Sequence, residues 1–299
     1  MANEIHDKIT ALIIAGLESA TSPTEWPWVR AAAAGLPVNV ASGKAYQGIN
    51  RMVLGMAMAG GATAHWGTFK QWQEKGAQIA KGSKSTPVIY WGDVYLDAEG
   101  NRTTADDPEG RKRMFAKSAS VFHSGQVEGW EAPAVEPSQV AGAERIEHVE
   151  EFVYMTGAQV FEGGAEAYYR PGLDQIQMPA RSLFKDTKTA SATEHFYSTL
   201  MHELVHWTGH AKRCNRDLTG RFGNAAYAFE ELVAEIGSAF LAADLGLAPE
   251  PRADNLRYVA SWLEVLKGDA TAIGKAATLS KQAADHLHGK QGAKIAEAA

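Results

Sequence analysis

Two imidazoles and a carboxylate stand within five residues at His202-Glu203-Leu204-Val205-His206. On a helix, His202 and His206 would face the same way one turn apart and could meet one tetrahedral ion. Glu203 would lie beside the open coordination position, placed to take a proton from water. This HExxH spacing is that of zinc peptidases, and it makes Glu203 the expected catalytic group. A bare pattern of this kind arises by chance in about one of forty chains with this His and Glu content, so a third ligand has to be found. Glu230-Glu231-Leu232-Val233-Ala234-Glu235 supplies carboxylates on a second segment. Glu231 is the expected metal ligand, and Glu235, one turn later, the expected acceptor for the outer ring N–H of a ligating histidine. Glu230 competes with Glu231, because one residue of helix phase rotates a side chain by about 100°. The plain alternative is a solvated helix face that holds nothing.

Both segments carry the periodicity that positions such groups. Phe196, Leu200 and Leu204 recur at i, i+4, i+8, and Tyr227 to Leu245 places Phe229, Leu232, Ile236, Phe240 and Ala243 on one side, so two amphipathic helices are predicted. Upstream, a helix over 144–156 stops at Gly157, and short strands follow at 158–161, 165–170 and 175–178, separated by Gly163-Gly164 and Pro171-Gly172. Such strands suit an edge that holds an extended peptide by backbone hydrogen bonds, with Tyr168, Tyr169 and Arg170 lining the cleft. His195 is expected near the site, and His210, after Gly209, to cap or hydrogen-bond. The loop 211–226 joins the two ligand helices, and 252–288 reads as a helical hairpin with Leu256, Val259, Trp262, Leu263 and Leu266 inward.

The first part of the chain has a different character. Residues 39–91 hold Lys44, Arg51, Lys70, Lys75, Lys81 and Lys84 against a single acid, Glu74, a local excess that suits a polyanion. Helices are predicted at 4–20, about 50–60, and from a Thr68/Gln71 capping box to Gly76. Trp26-Pro27-Trp28 and 37–51 read as loops. Strands at 78–81 and 86–95 form an expected hairpin with lysines at its tip, and a second long strand runs from Phe115 to Phe122. Between them, Arg111, Lys112 and Arg113 read as a solvated turn. Basic side chains interleaved with Trp66, Phe69, Trp72, Tyr90 and Trp91 match a single-stranded nucleic-acid surface, where bases stack on rings and cations meet phosphates. The residues expected to make it are Trp26, Trp28, Lys44, Tyr46, Asn50, Arg51, Trp66, Lys70, Trp72, Lys81 and Lys84. Tryptophans at such spacing also build ordinary cores. No helix-turn-helix pattern or zinc-finger spacing points to duplex reading.

With 299 residues and 45% apolar content, two domains with substantial cores are expected. The net charge of -6 comes from dispersed acids, not the dense rows a DNA mimic needs. One cysteine, Cys214, excludes an intrachain disulfide and points to a reducing cytoplasm, and no export signal or membrane span is expected.

Several of these stretches together resemble a known family. Pro37-Val-Asn, Gly43-Lys-Ala-Tyr-Gln-Gly-Ile-Asn50, Trp66-Gly-Thr-Phe-Lys-Gln-Trp72, Gly76-Ala-Gln, Lys81-Gly82, Val121-Phe122, Gln126-Val-Glu-Gly129, His202 through His210, Arg216 through Gly223 and Glu230 through Glu235 are similar to the ArdC antirestriction proteins of conjugative plasmids. They are also similar to the N-terminal region of TraC-type plasmid primases. Ser42 stands where that family often has Thr, and His123-Ser124 where it usually has Asn and an acid. The resemblance implies an α+β protein with an N-terminal single-stranded DNA-binding domain that includes a β-hairpin, and a C-terminal zincin-like metallopeptidase domain. The expected division is 1–130, a linker at 131–143, and 144–299. The implied role is protection of incoming plasmid DNA from host restriction during conjugation. One divalent ion is expected, zinc first and manganese second, with single-stranded DNA and a protein of the host restriction pathway as partners. The rival reading is a non-enzymatic DNA-binding protein whose metal site is only structural.

Overall fold

A computed structural model describes residues 2–104, 106–108, 110–132, 142–188, 190–220, 224–248 and 257–291. The architecture is α+β. Most of the expected linker, and of the 211–226 and 252–288 segments Arg221 to Gly223 and Leu256, lie outside the described residues.

The first part opens with α1 (Ala2–Ser19), α2 (Pro27–Ala33) and α3 (Gly48–Ala59). β1 (Val38–Asn39) precedes α3, and β2 (His65–Gly67) and α4 (Phe69–Glu74) follow it. Thr68 caps α4 reciprocally with Gln71, as its sequence predicts. Two long strands, β4 (Thr86–Leu96) and β6 (Arg111–His123), pair antiparallel from Thr86↔Val121 to Leu96↔Arg111. With β1, β2 and the short β5 (Arg102–Thr103) they make one sheet in the order β1-β2-β6-β4-β5.

Three local expectations are corrected. The hairpin over 78–95 does not form, because β3 (Gln78–Ile79) pairs with β7 (Val127–Glu128) while β4 pairs with β6. Arg111 to Arg113 begin β6 instead of sitting in a turn. Trp26-Pro27-Trp28 is not an open loop: Pro27 starts α2, where its missing N–H costs nothing.

The second part supplies α5 (Gly142–Thr156), a sheet of β8 (Gln159–Glu162), β10 (Gln175–Met178) and β9 (Tyr168–Arg170) in that order, and then α6 (Ala192–Thr208), α7 (Ala225–Asp244), α8 (Val259–Gly268) and α9 (Ala272–Gly289). The principal core runs across both parts. Trp26 and Trp28 meet Trp262 of α8 at ring-centroid distances of 5.1 and 5.5 Å, and the same cluster of buried residues continues through Met52, Phe240 and Ala277. A smaller core of Leu54, Trp66, Val88 and Val121 lies under the long strands. Among the described residues no helix is long and apolar enough to cross a membrane.

Arg51 fastens α3 to α7. Its side chain is 4% exposed, pairs with Asp244 at 2.9 Å, donates to Phe240 O at 3.3 Å and lies 4.5 Å from the centroid of the Phe240 ring. Burial opposes ionisation of Asp244, but His288 and Arg51 outweigh it and hold its pKa below the usual value of 3.8. A carboxylate lowered in the folded state adds stability above its unfolded pKa and loses it as pH falls through the folded one. Arg51→Leu is therefore expected to destabilise the fold at pH 7 by about 3 kcal/mol, since it leaves a buried carboxylate short of a partner. The deficit should shrink on acidification below about pH 4. Chemical denaturation at the two pH values checks both.

Candidate metal centre

The two site helices start from well-made caps. Ser191 accepts the Glu194 N–H at 3.2 Å while Glu194 accepts the Ser191 N–H at 2.9 Å, and Asn224 Oδ1 accepts the Tyr227 N–H at 2.7 Å. The helices then approach closely at Gly237. A Cβ there would lie 2.8 Å from Val205 Cγ2, so glycine lets α7 reach α6 two residues beyond Glu235 and next to His206 in sequence.

This approach brings His202, His206 and Glu231 together. The Nε2 atoms of the two rings lie 3.1 Å apart, Glu231 Oε2 is 3.5 Å from His202 Nε2, and Glu231 Oε1 is 3.7 Å from His206 Nε2. One donor atom from each of the three lies within 4.8 Å of the others. The outer nitrogens face carboxylates: Glu230 Oε1 is 3.1 Å from His206 Nδ1, and Glu235 Oε1 is 3.4 Å from His202 Nδ1. An Nδ1–H held by an acid leaves the Nε2 lone pair pointing inward, so two lone pairs and a carboxylate converge on one point. The contact at His206 has hydrogen-bond geometry. That at His202 is looser, a charge facing a ring edge, and its Nδ1 makes no hydrogen bond among the described residues.

The electrostatics favour positive charge at this point. Burial works against a charged His202, yet Glu231 and Glu235 outweigh it and push its pKa up to about 10. Burial likewise works against an ionised Glu231, and the two histidines, with Tyr227, overcome it and hold it at about 2. A cation would displace the His202 proton, and the neutral imidazoles and carboxylate so formed are a suitable donor set for zinc or manganese. The residues present therefore fit a divalent cation.

Glu231, not Glu230, points inward. Glu230 is taken by Arg216, whose Nε and Nη2 reach its two oxygens at 2.9 and 2.8 Å, while Nη2 also donates to Val205 O at 2.6 Å and Nη1 to Thr208 Oγ1 at 2.8 Å. Burial opposes ionisation of Glu230, but His206 and Arg216 prevail and lower its pKa. Arg216 thus clamps the acid that orients His206. Nothing in helical periodicity marks a loop arginine for that task.

The site opens on a cavity of about 210 Å³ lined by Glu203, Tyr168, Tyr169, Tyr227, Tyr258 and Arg257 along with the three converging residues. Glu203 is 2% exposed and sits beside His202 on its wall. β9 is the last strand of its sheet, so it presents an edge beside this cavity, where an extended peptide could add by backbone hydrogen bonds. Its position is fixed from behind: Tyr169 donates to Asp174 Oδ1 at 2.8 Å, Asp174 pairs with Arg213, and Arg213 lies 3.7 Å from the centroid of the Trp207 ring of α6. Tyr227 and Tyr258, with hydroxyls 3.1 Å apart, are polar groups of the cavity that sequence reasoning missed. Tyr258 has no repeat or motif around it to single it out. His195 bonds Thr187 Oγ1 at 3.1 Å, and His210 Nδ1 accepts the Lys212 N–H at 3.1 Å, the local role expected of it.

The expected nucleic-acid residues divide sharply. Trp26, Trp28, Trp66 and Trp72 are at most 2% exposed, so their rings are spent on packing and cannot stack on bases. Trp72 Nε1 donates to Phe122 O at 3.0 Å. Arg51 is consumed by Asp244 and Phe240, as above. Asn50 gives both ends of its amide to the Ile89 backbone, at 2.7 and 2.8 Å, and so pins α3 to β4. These six are corrected to structural residues. Lys44, Lys70, Lys81 and Lys84 are exposed and Tyr46 is half-buried. The exposed rings are instead Phe69 and Tyr90. The side chain of Trp91 lies outside the described residues.

Comparison with known proteins matches both parts. Residues 3–122 match the N-terminal domain of the anti-restriction factor ArdC, and residues 147–279 match a zincin-like metallopeptidase domain. The chain is 41% identical over 292 residues to the protein y4eC of Sinorhizobium fredii (strain NBRC 101917 / NGR234), covering 96% of this chain and 92% of that one. It is 35% identical over 296 residues to a DNA primase TraC of Escherichia coli, but spans 20% of that protein's length. Crystal structures of the antirestriction ArdC protein from the R388 plasmid superpose with a TM-score of 0.77 for the metal-free form, at 34% identity over 95% of this chain and 97% of that one. The Mn(II)-bound form gives 0.74 at 33% identity, over 96% and 98%.

Proposed function

The chain belongs to the ArdC antirestriction family, with an N-terminal ArdC domain and a zincin-like domain, and from that premise we propose that it is a metal-dependent peptidase that also binds single-stranded DNA. Its role is to protect incoming plasmid DNA from restriction during conjugation, acting in a reducing cytoplasm. The observation that carries the peptidase reading is the convergence of His202, His206 and Glu231 beside a buried Glu203. The Mn(II)-bound relative supports a divalent ion, and the mixed nitrogen and oxygen donors suit zinc equally.

The bound cation supplies Lewis acidity, polarising a carbonyl and making nearby water more acidic. His202, His206 and Glu231 hold it. Glu203 takes the proton of the attacking water on its carboxylate and returns it to the departing amine. Glu235 and Glu230 keep the two rings in the tautomer that aims Nε2 inward, and the edge of β9 aligns an extended polypeptide, a component of the host restriction pathway. Because Glu230 orients His206 without being one of the converging groups, Glu230→Gln is expected to weaken zinc affinity by about 10- to 100-fold, with some loss of stability because the buried Arg216 loses its ionised partner. Competition with a chelating dye measures this.

For the DNA part, the exposed Lys44, Lys70, Lys81 and Lys84 support phosphate contact. If three phosphates of a single strand are neutralised, the affinity for a labelled oligonucleotide should fall about twentyfold between roughly 50 and 200 mM salt. Fluorescence anisotropy at the two concentrations reads it, and no binding at the lower one removes DNA from the account. The TraC relatives, named as DNA primases, support the nucleic-acid part of the reading.

A further inference from the structure

The long strands build a second cleft that the peptidase reading does not use. It has a volume of about 380 Å³ and lies between the 39–47 loop, the starts of α3 and α4, and one face of the β4/β6 ribbon, within the roughly 300–1,000 Å³ range of small-ligand pockets. Its floor is apolar, made by Val88, Ala119 and Val121. Its wall is polar, and two of the wall groups have hydrogen-bonding capacity to spare. The Tyr46 hydroxyl accepts Asn39 Nδ2 at 2.9 Å and keeps its own proton to donate. Gln71 uses Oε1 on the Thr68 N–H at 2.9 Å, and its Nε2 donates to none of the described residues. A flat group with acceptor atoms on its edge would find a greasy surface for its face and two donors for its rim.

The ribbon face that floors the cleft continues outward as a basic track. Side chains on paired strands alternate between faces, so the register places Tyr90 and Lys117, then Val94 and Arg113, then Leu96 and Arg111, on the same face as Val88 and Ala119. Along β6 this sets Arg111 and Arg113 about 6.7 Å apart and Lys117 about 13 Å beyond Arg113. Tyr90 is 61% exposed at the mouth of the cleft, and Phe69, between the cleft residues Thr68 and Gln71, is 56% exposed. Arg111 and Arg113 are exposed and form no ion pair among the described residues. Cations in a row, rings at a cleft mouth and a donor-lined apolar slot are together the parts of a single-strand site.

We infer that this cleft receives one unpaired nucleobase while the adjoining phosphates run along Arg111, Arg113 and Lys117 with a neighbouring base stacked on Tyr90. The inference rests on the single-stranded DNA reading and deepens it by giving the strand a path and one base a pocket. It also transfers the nucleic-acid role from the buried tryptophans to a ribbon whose basic end looks, in sequence, like a turn. The recognised chemistry is a base edge rich in acceptors, such as the carbonyls of thymine.

The test uses the full chain with fluorescein-labelled oligothymidylate and with an equal-length oligonucleotide of abasic sugars. The wild type is expected to prefer the base-bearing strand by about tenfold. Ala119→Leu, which fills the floor, and Tyr46→Phe, which removes a donor, should each cut that preference to about threefold or less. Arg111→Glu with Arg113→Glu should weaken both ligands alike and flatten the salt dependence. Melting temperatures of all variants confirm folding. If the cleft variants keep the full preference, or the double arginine variant binds like wild type, the inference is overturned while DNA binding stands. If wild type binds neither oligonucleotide at low salt, the DNA reading itself falls.

Discussion

Glu203→Gln is expected to keep its divalent ion and lose peptide hydrolysis by about 10²- to 10⁴-fold, the usual contribution of a positioned general base. The reason lies in the division of labour at the cavity wall. Glu203 is not among the three groups whose donor atoms converge, so the substitution leaves the ligand set intact, and glutamine keeps nearly the same shape in a space that is 2% exposed. Only the capacity to accept a proton is removed. Two readouts are needed, zinc or manganese content by elemental analysis and turnover of an unstructured polypeptide. Retained turnover with retained metal rules out the mechanism. If antirestriction survives in the variant while hydrolysis is lost, the metal is structural for that role and the non-enzymatic reading gains.

The second large effect is expected from His202→Ala. Structural zinc sites release about 10–16 kcal/mol over their full ligand set, so deleting one ring should weaken the cation by roughly two to three orders of magnitude. Here the loss is compounded, because the same ring separates two buried acids: Glu231 lies 3.5 Å from its Nε2 and Glu235 3.4 Å from its Nδ1. Without it both carboxylates lose a partner in a place from which water is largely excluded. The variant should therefore bind metal poorly and show little further rise in melting temperature on adding zinc, whereas wild type is stabilised by its ligand. Calorimetric titration and a thermal scan with and without zinc distinguish these outcomes.

How much of this was legible in the chain depends on the range of the signal. The α6 and α7 segments carry apolar residues at helical spacing, so His202, His206 and Glu231 could be placed on helices from local pattern alone. The competition between Glu231 and Glu230 could not be decided that way. Arg216, which comes from a loop, captures Glu230, and that contact favours Glu231 as the ligand. The tryptophans at 26 and 28 misled for a related reason. Beside a proline they show no period, and their partner Trp262 lies far along the chain. Turn chemistry at Gly82-Ser83-Lys84 suggested a hairpin, but Gln78–Ile79 found its mate at Val127–Glu128. Strand pairing is a long-range choice, and a local turn signal does not determine it. The Asp- and Gly-rich stretch before Arg111 likewise hid the start of β6, and with it the basic face of the ribbon.

Anomalous X-ray scattering from crystals grown with zinc or manganese tests the central claim most directly. The account predicts a single strong peak about 2.0–2.2 Å from His202 Nε2, His206 Nε2 and a Glu231 oxygen, with Glu230 still held by Arg216 and Glu203 outside the ligand shell. A peak ligated by Glu230 or Glu203, or no peak at this position at saturating metal, would contradict it.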